Sequence, residues 1–264
     1  MLGLLTAAAI AACSPPEGTA ALLDRSERII VVGELHGTAE VPTAFAQIVC
    51  AASERGPVVV ALEMGEAMQP VLDDLIVAQD EIQARARLND SPMTNPRIND
   101  DGRSSEAIFA MLDTVRQLKA SGRDVSFHAF QPTTRPVTPR LEQSWSELAM
   151  AQNIAQAVSD SPGSRILVLV GGFHARKTIY SRWAEIGLPA IAHLPTAETL
   201  TLKVAQQGGA HWGCSTETCG ALPSMESYDP ASRGILLGPV EDGAYDGILA
   251  VGPWTASPPI GGED

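Results

Sequence analysis

The strongest constraint on the fold of this chain is a set of short apolar runs that do not alternate with polar residues. Residues 28–33 (RIIVVG), 58–63 (VVVALE), 125–130 (VSFHAF), 165–171 (RILVLVG) and 189–194 (PAIAHL) read as buried strands. A strand that is apolar on both faces is what a parallel sheet covered by helices on both sides requires. Helical patterns lie between the runs. Residues 104–121 place Ile108, Met111, Leu112, Val115 and Leu118 at helical spacing, with Ser104 or Ser105 as N-cap and Gly122 as the stop. Residues 141–159 repeat the period with Leu141, Trp145, Leu148, Ala151, Ala155 and Val158 as the apolar face. The order strand, helix, strand predicts right-handed crossovers and an α/β fold built on a mainly parallel open sheet. Residues 88–103 (LNDSPMTNPRINDDGR) read as an irregular insertion of the kind that is often functional. After residue 200, short strands between Gly- and Pro-rich turns suggest a small antiparallel extension that completes the domain, with a loose tail from Ser257.

The N-terminus reads as an address. Residues 1–12 (MLGLLTAAAIAA) are apolar or small except for Thr6, and they end at Cys13. Ile10-Ala11-Ala12-Cys13 looks like a bacterial lipobox, with Cys13 lipidated and Ser14 favouring the outer membrane. No Lys or Arg precedes Cys13, so Met1 need not be the true start. The expected organisation is a signal over 1–13, a linker over 14–27, an α/β domain over 28–200 and C-terminal strands over 201–264. That implies an outer-membrane or periplasmic lipoprotein of a Gram-negative type, held at the membrane by its lipid alone. Export makes Cys214 and Cys219 candidates for a disulfide closing a short loop. His211, Cys214 and Cys219 also have the spacing of three zinc ligands, but lack a nearby fourth. Cys50 reads as a small buried hydrophobe. Eighteen basic against thirty-one acidic side chains give a net charge of −13, which argues against a nucleic-acid partner.

In open α/β sheets the ligand crevice lies beyond the C-terminal ends of the strands. The first run there reaches Gly33-Glu34-Leu35-His36, the second ends at Glu63, and the fourth ends in Gly171-Gly172-Phe173-His174 with Arg176 two residues on. His128 sits near the end of the third. Two Gly-x-x-His units at equivalent topological positions, with a carboxylate ending an intervening strand, form a moderately specific signal. The glycines would permit sharp strand-to-helix turns that send the next side chains into the crevice. Each residue also has a structural explanation: a His can cap a helix, and a Glu can sit at a helix N-terminus. Five such groups at one edge favour a site, because burying several unpaired ionisable groups costs several kcal/mol.

The pieces VVGELHGTAEVP (31–42), VALEMGEAMQPVLDDL (60–75), LAMAQNIAQAV (148–158) and LVLVGGFHARK (167–177) resemble, in order and spacing, the superfamily of ChaN-type haem-binding lipoproteins, erythromycin esterases and Tiki/TraB proteins. The resemblance covers about 28–195 and implies an α/β fold with its site at the strand ends. It leaves the chemistry open. A hydrolase acting on an ester or amide would use Glu34, His36, Glu63, His174 and Arg176, one His oriented by a carboxylate to deprotonate water. A divalent metal (Zn or Mn) held by His36, Glu63 and His174 would activate that water instead. A haem carrier would use His174 or Tyr180 as axial ligand and draw slot walls from a homodimer interface, the chain being only 5% aromatic. Each reading implies a small-molecule ligand or substrate.

Overall fold

The computed structural model describes residues 12–94, 101–134, 139–215 and 218–261. Seven strands form one sheet: β1 (Ile29–Glu34), β2 (Val58–Gly65), β3 (Val125–Gln131), β4 (Arg165–Gly171), β5 (Thr199–Val204), β8 (Gly234–Val240) and β9 (Tyr245–Ala250). Their order is β3-β2-β4-β1-β5-β9-β8. Every pairing is parallel except the outermost, β8 with β9. The C-terminal strands therefore divide: β5 and β9 extend the parallel sheet, while β6 (Ala210–Cys214) and β7 (Cys219–Pro223) form a separate antiparallel pair.

The unbroken apolar runs are explained by two cores, one on each face. Along β1, Ile30 and Val32 pack into one cluster and Ile29 and Val31 into the other, all four at most 2% exposed. That is the two-residue alternation of a strand buried on both sides. The larger cluster takes Phe45 of α2 (Glu40–Ser53), Leu72 of α3 (Gln69–Ile76), Leu88 of α4 (Glu81–Asn89), Leu112 of α5 (Glu106–Ala120) and Leu22 of the short α1 (Thr19–Leu23). The smaller takes Met150, Ala151, Ile154 and Ala157 of α6 (Pro139–Asp160). Ser105 caps α5, its side chain accepting the Ile108 N–H.

Four local expectations are corrected. Residues 189–194 are not a strand: Ala190–His193 form a 3-10 turn whose Ala190 and Ile191 pack under α6. The buried face of α6 is Glu147, Met150, Ala151, Ile154 and Ala157, rotated from the expected one, and Leu148 is exposed. No helix follows β4 directly; the chain turns irregularly until a 3-10 segment, Ser181–Ile186. The tail is docked through Ile260, with Ser257 N–H donating to the Gly37 carbonyl and Ile260 N–H to that of Ser104.

Two disulfides are present, Cys214–Cys219 and Cys13–Cys50. A sulfur in a disulfide carries no thioether, so lipidation of Cys13 and its bond to Cys50 are alternatives for any one molecule. The apolar stretch 1–11 lies outside the described residues. Among the described residues, no helix is long and apolar enough to cross a membrane.

Candidate active site

The parallel register brings the ends of β1, β2 and β4 side by side. Glu34 pairs with Gly171 in the ladder, and Leu62 with Leu169 one step before Glu63. Gly33, Gly171 and Gly172 do not have positive φ, so their value here is close approach rather than conformational freedom. A Cβ on Gly171 would stand 3.2 Å from Nε2 of His36, 3.4 Å from Oε2 of Glu63 and 3.4 Å from the His174 ring. The bare glycine therefore gives these three side chains room to converge.

Glu63 lies between two imidazoles. Its Oε2 is 3.5 Å from His36 Nε2, and its Oε1 is 3.7 Å from His174 Nε2. Each imidazole is held from behind: His36 Nδ1 is 3.0 Å from Glu34 Oε1, and His174 Nδ1 is 2.8 Å from Glu147 Oε2. Both Nε2 atoms thus face Glu63 at separations longer than a direct hydrogen bond, leaving them available to a third group. Glu63 is fixed by the Gly171 N–H at 2.7 Å and by Arg103 at 3.0 Å. Glu147 is fully buried, accepts the Ala190 N–H at 2.8 Å and is bonded by Gln143. Arg103 is itself held by Asp101.

These contacts set the charges. Burial opposes charge on His36, but the Glu63 and Glu34 carboxylates outweigh it and push its pKa up to about 9. Burial also opposes charge on His174, and Glu63 and Glu147 again outweigh it, while His36 pulls the other way. The Glu63 carboxyl would be raised by burial, yet His174, His36, Arg103 and the Gly171 N–H bring it below its usual range. Burial raises the Glu34 carboxyl, whose Oε2 has no hydrogen-bond partner. Above them opens a polar cleft of about 290 Å³, lined by His36, Glu63, Arg103, Gln143, Ser146 and His174 among others.

Of the residues singled out in the sequence, the structure brings Glu34, His36, Glu63 and His174 together. It places four elsewhere. Arg176 pairs with Glu241 and lies 4.8 Å over the Tyr180 ring; it does not line the cleft. Tyr180 belongs to an aromatic cluster with Phe173 and Trp183 and does not line the cleft either. His128, two rows back along β3, bonds the Asn153 carbonyl on α6 at 3.0 Å. His211 bonds Ser224 at 2.9 Å beside the Cys214–Cys219 bridge.

Three residues that sequence reasoning missed complete the site: Asp101, Arg103 and Glu147. The signal for Glu147 was a charged residue opening the true helical period Glu147, Met150, Ile154, Ala157. For Arg103 it was the Asn- and Asp-rich insertion itself. Among the described residues, no group of three or more His, Cys, Asp or Glu is arranged to hold a metal ion. The Arg103 guanidinium, 3.0 Å from Glu63 Oε1, puts a fixed positive charge where a divalent ion would draw on the same oxygen. The residues present do not fit a metal held by His36, Glu63 and His174. Of the two expected haem ligands, His174 lines the cleft and Tyr180 does not.

No family model matches the chain, and no curated protein matches it. Solved structures do. A succinoglycan biosynthesis protein aligns with TM-score 0.59 at 11% identity, covering 95% of this chain and 94% of its own. A mutant erythromycin esterase, EreC, in its open conformation aligns with TM-score 0.53 at 12% identity, covering 88% and 92%. ChaN of Campylobacter jejuni, with cofacially bound haem, aligns with TM-score 0.46 at 13% identity, covering 87% and 89%. At such identities the first two likenesses are of fold, and the third is too low to bear on the ligand.

Proposed function

We propose that this chain is a metal-independent hydrolase of ester or amide bonds in a small-molecule substrate. The observation that carries the reading is the pair of imidazoles, each oriented at Nδ1 by a buried carboxylate and each presenting Nε2 to the same cleft. A carboxylate–histidine pair of this kind fixes tautomer and ring direction and stabilises the imidazolium that forms. His174 has the more firmly held partner, since Glu147 is anchored by both Ala190 and Gln143. It is assigned as the base that takes a proton from water at Nε2. The water oxygen then bonds to the substrate carbonyl carbon. His36, protonated at neutral pH, and Arg103 face the oxyanion that develops. Collapse breaks the bond to the alcohol or amine, which leaves with the proton held by His174. Glu63 holds the imidazoles in register.

The productive state carries one positive charge on the two imidazoles, so activity belongs between the two apparent pKa values of the pair. Activity should therefore fall in acid, where both are charged, and again above about pH 9, where His36 is neutral. The two disulfides support an exported protein, because such bonds persist in oxidising compartments. The test is hydrolysis of a panel of nitrophenyl esters and anilides by chelator-treated protein. Activity that survives chelation and is lost in His174→Ala is expected. Activity that needs added metal, or that His174→Ala retains, would overturn the assignment.

A further inference from the structure

Beside the cleft, residues 173–188 carry side chains that the acid–base chemistry does not use. Phe173, Tyr180 and Trp183 meet edge to face, with ring centroids 5.1 Å apart for Phe173 and Trp183 and 5.4 Å for Tyr180 and Trp183. Isolated apolar residues on a surface need no explanation, but here Ile179, Trp183 and Leu188 are 49, 43 and 42% exposed within ten residues. The group is held firmly from beneath. The Arg176 guanidinium lies 4.8 Å over Tyr180 and 5.4 Å over Tyr245, and Glu241 fixes it in place. Ser144 donates to the Ile186 carbonyl, tying the segment to the part of α6 that supplies Gln143 and Ser146 to the cleft. The group is also continuous with the site: the Phe173 ring sits 5.4 Å from that of His174.

We propose that this aromatic shelf, with Trp183 at its exposed end, binds a flat, weakly polar ring of the substrate and so delivers the scissile bond to His174. The proposal rests on the hydrolase reading for the second half of that statement. A rigid aromatic held open to solvent binds at little conformational cost, and an aryl ring, or the apolar C–H face of a sugar ring, can lie against it. Polar cleft and apolar shelf together select a molecule with both a ring and an ester or amide.

Saturation-transfer NMR on the full chain tests this with three probes: benzamide, methyl β-D-glucopyranoside and the ringless isobutyramide. At least one ring probe should receive several-fold more transfer than isobutyramide, and which one responds distinguishes aryl from sugar. Trp183→Ala should weaken that binding about three- to tenfold, while Trp183→Phe keeps most of it. Should the alanine variant not fold, Trp183→Leu, which keeps bulk without a flat face, takes its place. Equal transfer for ring and ringless probes, or for wild type and variant, would overturn the shelf. Ring binding that depends on Trp183 in a protein that cleaves no ester or amide would uphold the shelf and reject the hydrolase. Hydrolysis with no ring preference would do the reverse.

Discussion

Replacing Glu147 by Gln isolates the charge that orients His174. The side chain is fully buried and its Oε2 serves two donors, His174 Nδ1 and the Ala190 N–H, each at 2.8 Å. Glutamine keeps the shape and can still accept from Ala190, so the change removes mainly the charge facing the imidazole. Hydrogen bonds to charged groups contribute about 1.5–3 kcal/mol. If that interaction acts in the transition state, kcat/KM should fall about 10- to 100-fold, at roughly 1.4 kcal/mol per tenfold. The pKa of His174 is raised in part by Glu147, so it should move down in the variant and carry the acid limb of the rate profile with it. The sign for stability follows. A histidine whose folded pKa is raised contributes stability that is complete below its unfolded value and lost as pH rises through the folded one. The variant should therefore lose most at mildly acidic pH, about 2 kcal/mol or roughly 4–8 °C in Tm, and much less at pH 10. Titration of the His174 ring carbon by NMR, with Tm measured at both pH values, decides it. An unmoved His174 titration, or a Tm loss equal at both pH values, would refute the reasoning.

Arg103→Ala should lower kcat/KM about 100-fold if the guanidinium stabilises an oxyanion, with kcat affected more than KM; a pure KM effect in steady-state kinetics would leave it a substrate clamp. His36, with its pKa near 9, should give the wild type a stability contribution present below about pH 6.5 and lost as pH rises through 9, and His36→Gln should flatten that part of a denaturation series; an unchanged pH dependence would contradict the pairing with Glu34 and Glu63. Thiol counting on denatured, unreduced protein should find no reactive cysteine, since Cys13–Cys50 and Cys214–Cys219 account for all four; a free Cys50, with acyl groups on Cys13 by mass spectrometry, would replace the first bond with the lipid.

The strands of the sheet core were legible because burial on both faces leaves no polar residue in the run, as at Ile29–Val32 and Ile166–Val170. The ends of those runs put Glu34, His36, Glu63 and His174 at one edge. Residues 189–194 share the apolar composition but not the pairing, because Ala190 and Ile191 make their backbone bonds to Glu147 and to the His174 carbonyl instead of a ladder. Here tertiary partners override a β-like composition. Glu147 was illegible for a related reason: in a helical period a carboxylate marks the solvent face unless its partner is known, and His174 lies 27 residues away. Arg103 reaches Glu63 from the insertion, where no periodicity fixes the direction of a side chain. The contact between that loop and His36 leaves only a faint trace, in Gly37 and Gly102. A Cβ on Gly102 would fall 2.4 Å from the Gly37 nitrogen, and both glycines have positive φ.

The central claim is that His36 and His174 work as one acid–base unit around Glu63. A double-mutant cycle on kcat/KM tests it most directly, comparing His36→Ala, His174→Ala and the double variant in chelator-treated protein on a single ester. Residues that act as a unit are strongly non-additive, so the double variant should be about as slow as the slower single variant. Losses that simply multiply would contradict the claim and make the two histidines independent contributors.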